Sequence, residues 1–336
     1  MTELSIILVN WNCLEYTEQC LASIRDTARD IDYEVIVVDN DSADAPCQSL
    51  ADNFPWIQLV LSNTNIGFGQ ANNLGVRQSM GRKLLFLNPD TLVLGDALKK
   101  MQSALDAAPQ GGAIGCRLLN PDWSLQATCV QPFPTILNQL LALSWLQRRW
   151  PALPIWGKQA LYSTEPHIVH EVDFVSGAAI MVHREVFEKV GGFSPEYFMY
   201  AEEVDLCRTI HRAGYKVLHT SDARIIHFGG QSTKNCEDGF ASVTMRDSIY
   251  RFMCRNRGSS YAMLYRLTLL LSALCRMAVL AVLFPFGALF GYPIARRDLV
   301  RPFRKWLQIA QWAVGWDTSA RGIATPPEAS VAPVEN

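Results

Sequence analysis

None of the nine cysteines in this 336-residue chain sits in a C-x-x-C pair, and their number is odd. That pattern gives no support to a disulfide framework or to a zinc site, and the cysteines read as small hydrophobes in a reducing compartment. No signal peptide opens the sequence. Met1-Thr2-Glu3-Leu4 leads straight into a strand-like run, and the expectation is a body that stays in the cytoplasm. No internal repeat is visible. Residues 63–75 (NTNIGFGQANNLG) carry Gly67 and Gly69 but lack the third glycine of a dinucleotide fingerprint. A glycine-rich basic loop after the first strand, which a nucleotidyltransferase would need, is missing too, because Asn10-Trp11-Asn12 stands there.

What is present suits a globular protein. Hydrophobic residues make up 49% and charged residues 18%, enough apolar material for an ample core. The length fits one large α/β domain with an appendage, or two ordinary domains. The net charge of −2 hides an asymmetry: residues 1–240 carry 18 Lys/Arg against 27 Asp/Glu, and residues 241–336 carry 12 against 5. A basic tail on an acidic body points to an anionic contact, a phospholipid surface first of all.

The first 120 residues alternate short apolar runs with amphipathic stretches. Residues 4–9, 34–38, 57–61 and 83–87 predict strands, and residues 14–28 and 68–80 predict helices. Unbroken apolar strands joined by such helices imply right-handed crossovers and a parallel sheet. Further along, residues 113–119, 172–182 and 216–227 read as strands, and 135–150, 202–213 and 238–257 as helices. The Trp- and Pro-rich stretch 145–162 reads as a loop over a site.

Ligands of such sheets bind beyond the carboxyl ends of the strands. Four consecutive strand ends finish in polar or turn-forming residues: Asn10-Trp11-Asn12, Asp39-Asn40-Asp41-Ser42, the segment from Asn63 to Gly69, and Asn88-Pro89-Asp90. Any one would pass as a turn; four together indicate a site. Asp39 suits the N3–H of a pyrimidine or ribose hydroxyls, the alternative being a turn or capping Asp. Asn65, Gly67 and Asn72 flank the start of a helix whose N-terminus favours a diphosphate; otherwise Asn72 and Asn73 lie on a solvated helix face. Asp90 offers oxygen to a hard divalent ion, unless Asn88-Pro89 is a plain turn. Glu202, Glu203 and Asp205 crowd the first turn of a helix behind Phe198, Met199 and Tyr200. The helix dipole explains them as an acidic entry, and nearby apolar surface would make one a better base. His227, before Phe228-Gly229-Gly230, is either structural or part of a metal site.

Taken in order, IILVNWN, VIVVDNDSAD, NTNIGFGQANNLG, LLFLNPDT, DFVSGAAIMVHREVFEKVGGF, FMYAEEVDLCRTIHRAGY and HFGGQST resemble the family-2 glycosyltransferases of the GT-A fold, rhamnosyltransferase-like branch, over about residues 3–235. The resemblance implies an α/β fold with a mostly parallel, Rossmann-like nucleotide-binding sheet flanked by helices, and inversion at the anomeric carbon by direct displacement. It implies Asp39 as the nucleobase or ribose ligand, with Asn10, Asn65, Gly67 and Asn72 around the nucleotide. Asp90 and His227 would hold Mg²⁺ or Mn²⁺, Asn88 standing where the family often has a first Asp. Glu203 falls where the family has its catalytic base, usually Asp, and Glu202 precedes it, so the base lies between these two. Trp11, Asn88, Ser176, Gly177 and Asp205 would shape the sugar and acceptor pocket.

Residues 267–295 run for 29 positions with Arg276 as the only charge, and Arg296, Arg297, Arg301, Arg304 and Lys305 follow. Length permits a membrane span, but Pro285, Pro293 and Arg276 favour an interfacial or re-entrant helix anchored by arginines; the alternative is packing on protein or on a second copy in a homodimer. The expected division is a catalytic domain at 1–240, a helical, basic, membrane-associated appendage at 241–317 and a disordered tail at 318–336. The expected activity is sugar transfer, from dTDP-L-rhamnose or a UDP-sugar, to a lipid-linked or growing cell-surface glycan at the cytoplasmic side of the membrane, with no nucleic-acid partner. A sugar-nucleotide-binding protein without catalysis is the competing reading.

Overall fold

The computed structural model describes residues 2–43, 47–126, 128–141, 149–150, 168–231, 240–289 and 296–316. The chain divides into two compact units. The first comprises Met1–Phe133, Leu141–Ser194 and Glu202–Lys234; the second comprises Pro134–Leu140, Pro195–Ala201 and Asn235–Asn336.

The first unit is built on one sheet. Its strands are β1 (Leu4–Asn10), β2 (Tyr33–Asp39), β3 (Ile57–Leu61), β4 (Lys83–Leu87), β5 (Thr91–Leu94), β6 (Gly111–Leu119), β8 (Val169–Glu171), β10 (Ala179–His183) and β11 (Lys216–His227), in the order β3-β2-β1-β4-β10-β6-β11-β5, with β8 also on β11. The short strands β7 (Val130–Gln131) and β9 (Phe174–Val175) pair separately. β1 to β4 are parallel, as the helical crossovers α1 (Leu14–Thr27), α2 (Gln48–Asn53) and α3 (Phe68–Arg77) require. β10 runs antiparallel between β4 and β6, and β11 is again parallel to β6. β1, β2 and β4 are apolar through their middles because both faces are covered; Ile6, Ile7, Leu8, Ile36, Val37, Leu85 and Phe86 are fully buried.

Several elements differ from the sequence reading. The run 172–182 is not one strand: it breaks at the Ser176-Gly177-Ala178 turn into β9 and β10, with Ala179 N bonded back to Ser176 O. Within 135–150 the helix is α5 (Ile136–Leu140), and 142–148 lie outside the described residues, as do 145–148 and 151–162 of the expected loop. β5 and helix α4 (Ala97–Asp106) carry no strong signal of their own, for β5 is a four-residue strand made by pairing with β11. Helix α6 (Arg184–Lys189) follows β10 and ends in Gly191-Gly192-Phe193. Gly192 has φ +70°, and a Cβ there would lie 2.9 Å from Asn73 Oδ1, so both conformation and space demand glycine. Helix α7 (Glu202–Arg212) precedes β11.

The amino end of the sheet is closed by hydrogen bonds. Glu34 Oε1 accepts from Ser5 Oγ (2.7 Å), Met80 N (2.5 Å) and Gly81 N (3.0 Å). Lys83, almost wholly buried, pairs with Asp106 at 2.9 Å, and the Arg184 guanidinium donates to Gly81 O and Ser79 Oγ.

The second unit is helical: α8 (Phe240–Arg257), α9 (Ser259–Leu289) and α10 (Arg296–Val314), with α5 against α9. Its core gathers Val243, Ile249, Met253, Ala262, Tyr265, Leu269 and Trp312. Each such large side chain removed from water contributes roughly 1.5–3 kcal/mol. The Arg266 guanidinium donates to Trp312 O and Ala313 O, capping the carbonyl end of α10. The stretch Ser259–Val282 is long and apolar enough to cross a membrane by length and composition, yet only 17% of it is buried. The expected disordered tail at 318–336 lies outside the described residues.

Candidate active site

Asn10 ends β1 in register with Asp39 at the end of β2. Its amide Nδ2 donates to Asp39 Oδ1 (3.0 Å) and to Ser42 Oγ (3.0 Å), while its Oδ1 accepts from Thr17 Oγ1 (2.8 Å). The Cys47 thiol also donates to Asp39 Oδ1, at 2.9 Å. Cys47 is therefore a polar partner of the site and not simply a small hydrophobe, as the sequence had suggested. Asp39 Oδ1 is thus saturated, whereas among the described residues Oδ2 has only a 3.4 Å contact, from Ser42 N, and keeps acceptor capacity. Asn12 (φ +53°) and Asp41 (φ +63°) turn the two loops in left-handed conformations that Asn and Asp tolerate. Trp11, between Asn10 and Asn12 in sequence, is half-buried.

Asn40 joins the second and third strand ends. Its Nδ2 donates to Asn65 Oδ1 (2.9 Å), and its Oδ1 accepts from Ile66 N (3.0 Å). Asn65 Oδ1 also accepts from Gly67 N, so Asn65 braces the loop. Gly67, at φ +81°, is the N-cap of α3, and no side chain caps this helix. Its first amides consequently remain available to an anion. The solvated-face alternative for Asn72 and Asn73 is wrong. Asn72 is 1% exposed, bonded to Phe68 O, with its Oδ1 lacking a partner among the described residues. Asn73 clasps the Phe193 backbone at both its N–H (3.0 Å) and its carbonyl (2.8 Å).

Asn88, Asp90 and His227 meet on one spot. His227 Nε2 lies 3.3 Å from both Asn88 Nδ2 and Asp90 Oδ1, and Gln231 N reaches Asp90 Oδ2 at 3.4 Å. Gln126 fixes the imidazole. Its Nε2 is committed to Asn120 Oδ1 (3.1 Å) and His227 O (3.3 Å), so its Oε1, 2.8 Å from Nδ1, accepts the Nδ1 proton. The Nε2 electron pair, which accepts from Asn88 Nδ2, then faces the Asp90 carboxylate, and the two suit a positive charge between them. That chemistry fits a divalent cation with His227 and Asp90 as ligands. Among the described residues no group of three or more His, Cys, Asp or Glu side chains assembles, so further ligands would be substrate or water oxygens.

The acidic pair approaches from α7. The chain enters this helix through Tyr200 (φ +69°) and Ala201 (φ +62°), two consecutive left-handed residues that are not glycine, a strained conformation that sets where Glu202 and Glu203 begin. Glu202 is 5% exposed and lies beside the start of α3, where a Cβ on Gly69 would be 3.5 Å from its own Cβ. Glu202 Oε2 has no hydrogen-bond partner among the described residues. Burial, and then the charge of Glu203, push the Glu202 carboxyl well above the usual range. Glu203 is half-buried, its side chain 3.4–3.6 Å from the place a Cβ on Gly177 would take, and burial raises it to about 7. The Ser176-Gly177-Ala178 turn also accepts Asn88 N through Ala178 O (2.9 Å), tying this pair to the end of β4. Asp205 is 3% exposed in the same first turn.

Gln126, Asn40 and Cys47 were not singled out from the sequence. Asn40 stood inside the Asp39–Ser42 run and was legible as part of it. Gln126 lies in an irregular stretch, and no local pattern marks it.

The model of the family described as "Glycosyl transferase family 2" matches residues 5–191. The N-acetylglucosaminyl-diphospho-decaprenol L-rhamnosyltransferase of Mycobacterium tuberculosis (strain CDC 1551 / Oshkosh) is 26% identical over 246 residues, 68% of this chain and 77% of that protein. The rhamnosyltransferase WbbL of Escherichia coli (strain K12) is 26% identical over 262 residues, 75% of this chain and 93% of that protein. Among solved structures, the mannosyltransferase PcManGT from Pyrobaculum calidifontis, in complex with GDP-Man and Mn²⁺, superposes with a TM-score of 0.55 at 17% identity, over 93% of this chain and 85% of that one. GalNAc-T7 with UDP, GalNAc and Mn²⁺ gives 0.53 at 15% identity, over 68% of this chain and 44% of that one. These two likenesses bear on the fold, which is of the GT-A type.

Proposed function

The chain belongs to glycosyl transferase family 2, and on that premise we propose that it moves a sugar from a nucleoside diphosphate, dTDP-L-rhamnose first of all, onto a lipid-linked or growing cell-surface glycan. The observation that carries this reading is the convergence of Asp90 and His227 at the sheet's carboxyl end, beside a half-buried carboxylate, Glu203, poised to titrate near neutrality. The two rhamnosyltransferase relatives support the choice of sugar, and the decaprenol-linked acceptor in the name of the mycobacterial enzyme supports a lipid-linked acceptor here.

In this scheme Asp39 accepts from the base or ribose through Oδ2, and the amides at the start of α3 face the diphosphate. Trp11, Ser176 and Gly177 shape the sugar and acceptor pocket. Asp90 and His227 would hold Mg²⁺ or Mn²⁺, which when bound would stabilise negative charge on the departing diphosphate. Glu203, the more exposed of the acidic pair, takes the proton from the acceptor hydroxyl. That oxygen forms a bond to the anomeric carbon as the bond from this carbon to the diphosphate oxygen breaks, and the nucleoside diphosphate leaves with the electron pair. The product anomer is inverted. Glu202, almost wholly buried, is the less accessible of the two to an acceptor hydroxyl. The exposed apolar residues and basic charge of the second unit support peripheral attachment to the cytoplasmic face of a membrane.

The test is release of nucleoside diphosphate from dTDP-rhamnose, UDP-galactose and UDP-N-acetylglucosamine, each with Mg²⁺ or Mn²⁺ and a lipid extract as acceptor. Acceptor-dependent turnover of dTDP-rhamnose is the expected result. Turnover of a UDP-sugar alone would change the donor, and turnover of none would favour a binding protein without catalysis.

A further inference from the structure

Beyond the end of β6 the chain turns back on itself and presents one large aromatic side chain to solvent. Leu119 and Leu125 form an antiparallel bridge, Asn120 N donates to Ser124 O (2.8 Å), and Trp123 N donates to Asn120 O (2.9 Å). Trp123, in this turn, is 61% exposed and has φ +66°. A single exposed apolar side chain is ordinary, but a bulky residue in the left-handed region is not. That conformation suits glycine, and after it asparagine or aspartate, the types that adopt it as Asn12 and Asp41 at the ends of β1 and β2. Strain of this kind persists where function uses the side chain.

The turn is braced, and it is tied to the candidate active site. Asp122 Oδ1 accepts from Ser124 Oγ (2.6 Å) and Ser124 N (3.0 Å), and Asn120 Nδ2 donates to Ser124 Oγ (2.9 Å). Asn120 Oδ1 accepts from Gln126 Nε2 (3.1 Å), and Gln126 is the residue that fixes the His227 imidazole at 2.8 Å. β6 runs parallel to β11, so the turn after Leu119 and His227 at the end of β11 share the carboxyl end of the sheet. Trp123 lies three residues from Gln126. Their Cα atoms are at most about 11 Å apart, a distance that a short oligosaccharide spans. The side chains of the turn indicate what docks there. A sugar ring has hydroxyls around its rim and C–H groups on its face, and an indole flanked by an amide, a carboxylate and a hydroxyl complements both. Asn120, Asp122 and Ser124 supply those groups. Asp122, exposed, is the only charged residue from Leu119 to Gln126, and its sign opposes contact with an anionic phospholipid surface. Resting on the transferase reading above, we propose that Trp123 is a platform on which a sugar ring of the acceptor glycan stacks by its C–H face. It selects acceptors that carry a ring at that place.

The experiment compares the full chain with Trp123→Gly and Trp123→Tyr in two assays. One is nucleoside diphosphate release from dTDP-rhamnose against a dilution series of lipid extract; the other is indole fluorescence with cellobiose and chitobiose as probes. Trp123→Gly should raise the extract concentration that gives half the maximal rate about tenfold, and Trp123→Tyr should restore most of the loss. Quenching by a disaccharide, present in wild type, should disappear in Trp123→Gly. The melting temperature of Trp123→Gly should be unchanged or higher, because glycine is at ease at φ +66°, whereas a purely structural tryptophan predicts a lower one. An unchanged half-maximal concentration, or quenching that is absent from wild type or retained in Trp123→Gly, would overturn the proposal. So would loss of flotation with phosphatidylglycerol vesicles in Trp123→Gly, which would make Trp123 a membrane anchor instead. Donor binding by calorimetry should be the same in all three proteins. If wild type binds no donor, the transferase reading fails, while the quenching still decides on Trp123.

Discussion

The two ends of the central sheet are made of similar residues and treat charge in opposite ways. At the amino end, Glu34 accepts from Ser5 and from two backbone amides, Lys83 pairs with Asp106, and Arg184 clasps Gly81 and Ser79. At the carboxyl end, Asp39, Asp90, Glu202 and Glu203 have no Lys or Arg ion-pair partner among the described residues. Asp90 meets His227 and the Gln231 amide, and Glu202 has an oxygen with no partner among the described residues. Carboxylates left without compensation lower stability unless a ligand or a reaction uses them. One end of the sheet therefore compensates its charges within the fold, and the other leaves them for the donor and the proton transfer of the proposed reaction.

Substitutions can break this contrast. The largest effect is expected for Glu203→Gln, which should reduce transfer by about 10²–10⁴-fold while leaving donor affinity intact, as single-turnover kinetics beside calorimetry would reveal. Gln126→Leu should come next. Freed from its Nδ1 acceptor, His227 loses its orientation, and Mn²⁺ affinity, read by electron paramagnetic resonance, should fall about 10–100-fold. At the opposite end, Glu34→Ala should cost about 1–3 kcal/mol of stability by chemical denaturation and leave donor binding unchanged. The smallest and most specific effect is with pH. Burial raises Glu203 from 4.5 to about 7, so the folded protein holds a proton there that the unfolded chain releases near 4.5. This contribution to stability is complete below about 4.5 and is lost as pH rises through about 7, while transfer rises over the same interval. Glu203→Gln should flatten both profiles.

Much of the parallel half of the sheet was legible in the sequence because β1 to β4 are continuous apolar runs closed by Asn, Asp or Gly. β3 and β11 begin and end where the pattern predicts. The antiparallel half was harder. β10 and β9 merge into one apolar run in the sequence, and only the turn at Ser176-Gly177-Ala178 separates them. β5 exists because β11 pairs with it, a long-range fact that no local pattern carries. The candidate site followed the same rule. Asp39, Asp90, Glu203 and His227 sit at strand or helix ends and could be picked out. The partners that orient them, Cys47 on Asp39 and Gln126 on His227, come from irregular stretches and emerge only in three dimensions. The inward placement of Asn73 on the Phe193 backbone and of Asn72 on Phe68 O was not legible, because helical periodicity does not say that a polar side chain is drawn inward.

The most direct test is calorimetric titration of dTDP-rhamnose with Mn²⁺ into wild type, Asp90→Ala and Glu34→Ala side by side. Metal-dependent binding that is lost in Asp90→Ala and retained in Glu34→Ala is the predicted result. Equal binding by wild type and Asp90→Ala, or a loss confined to Glu34→Ala, would contradict the assignment of the sheet's carboxyl end as the donor site.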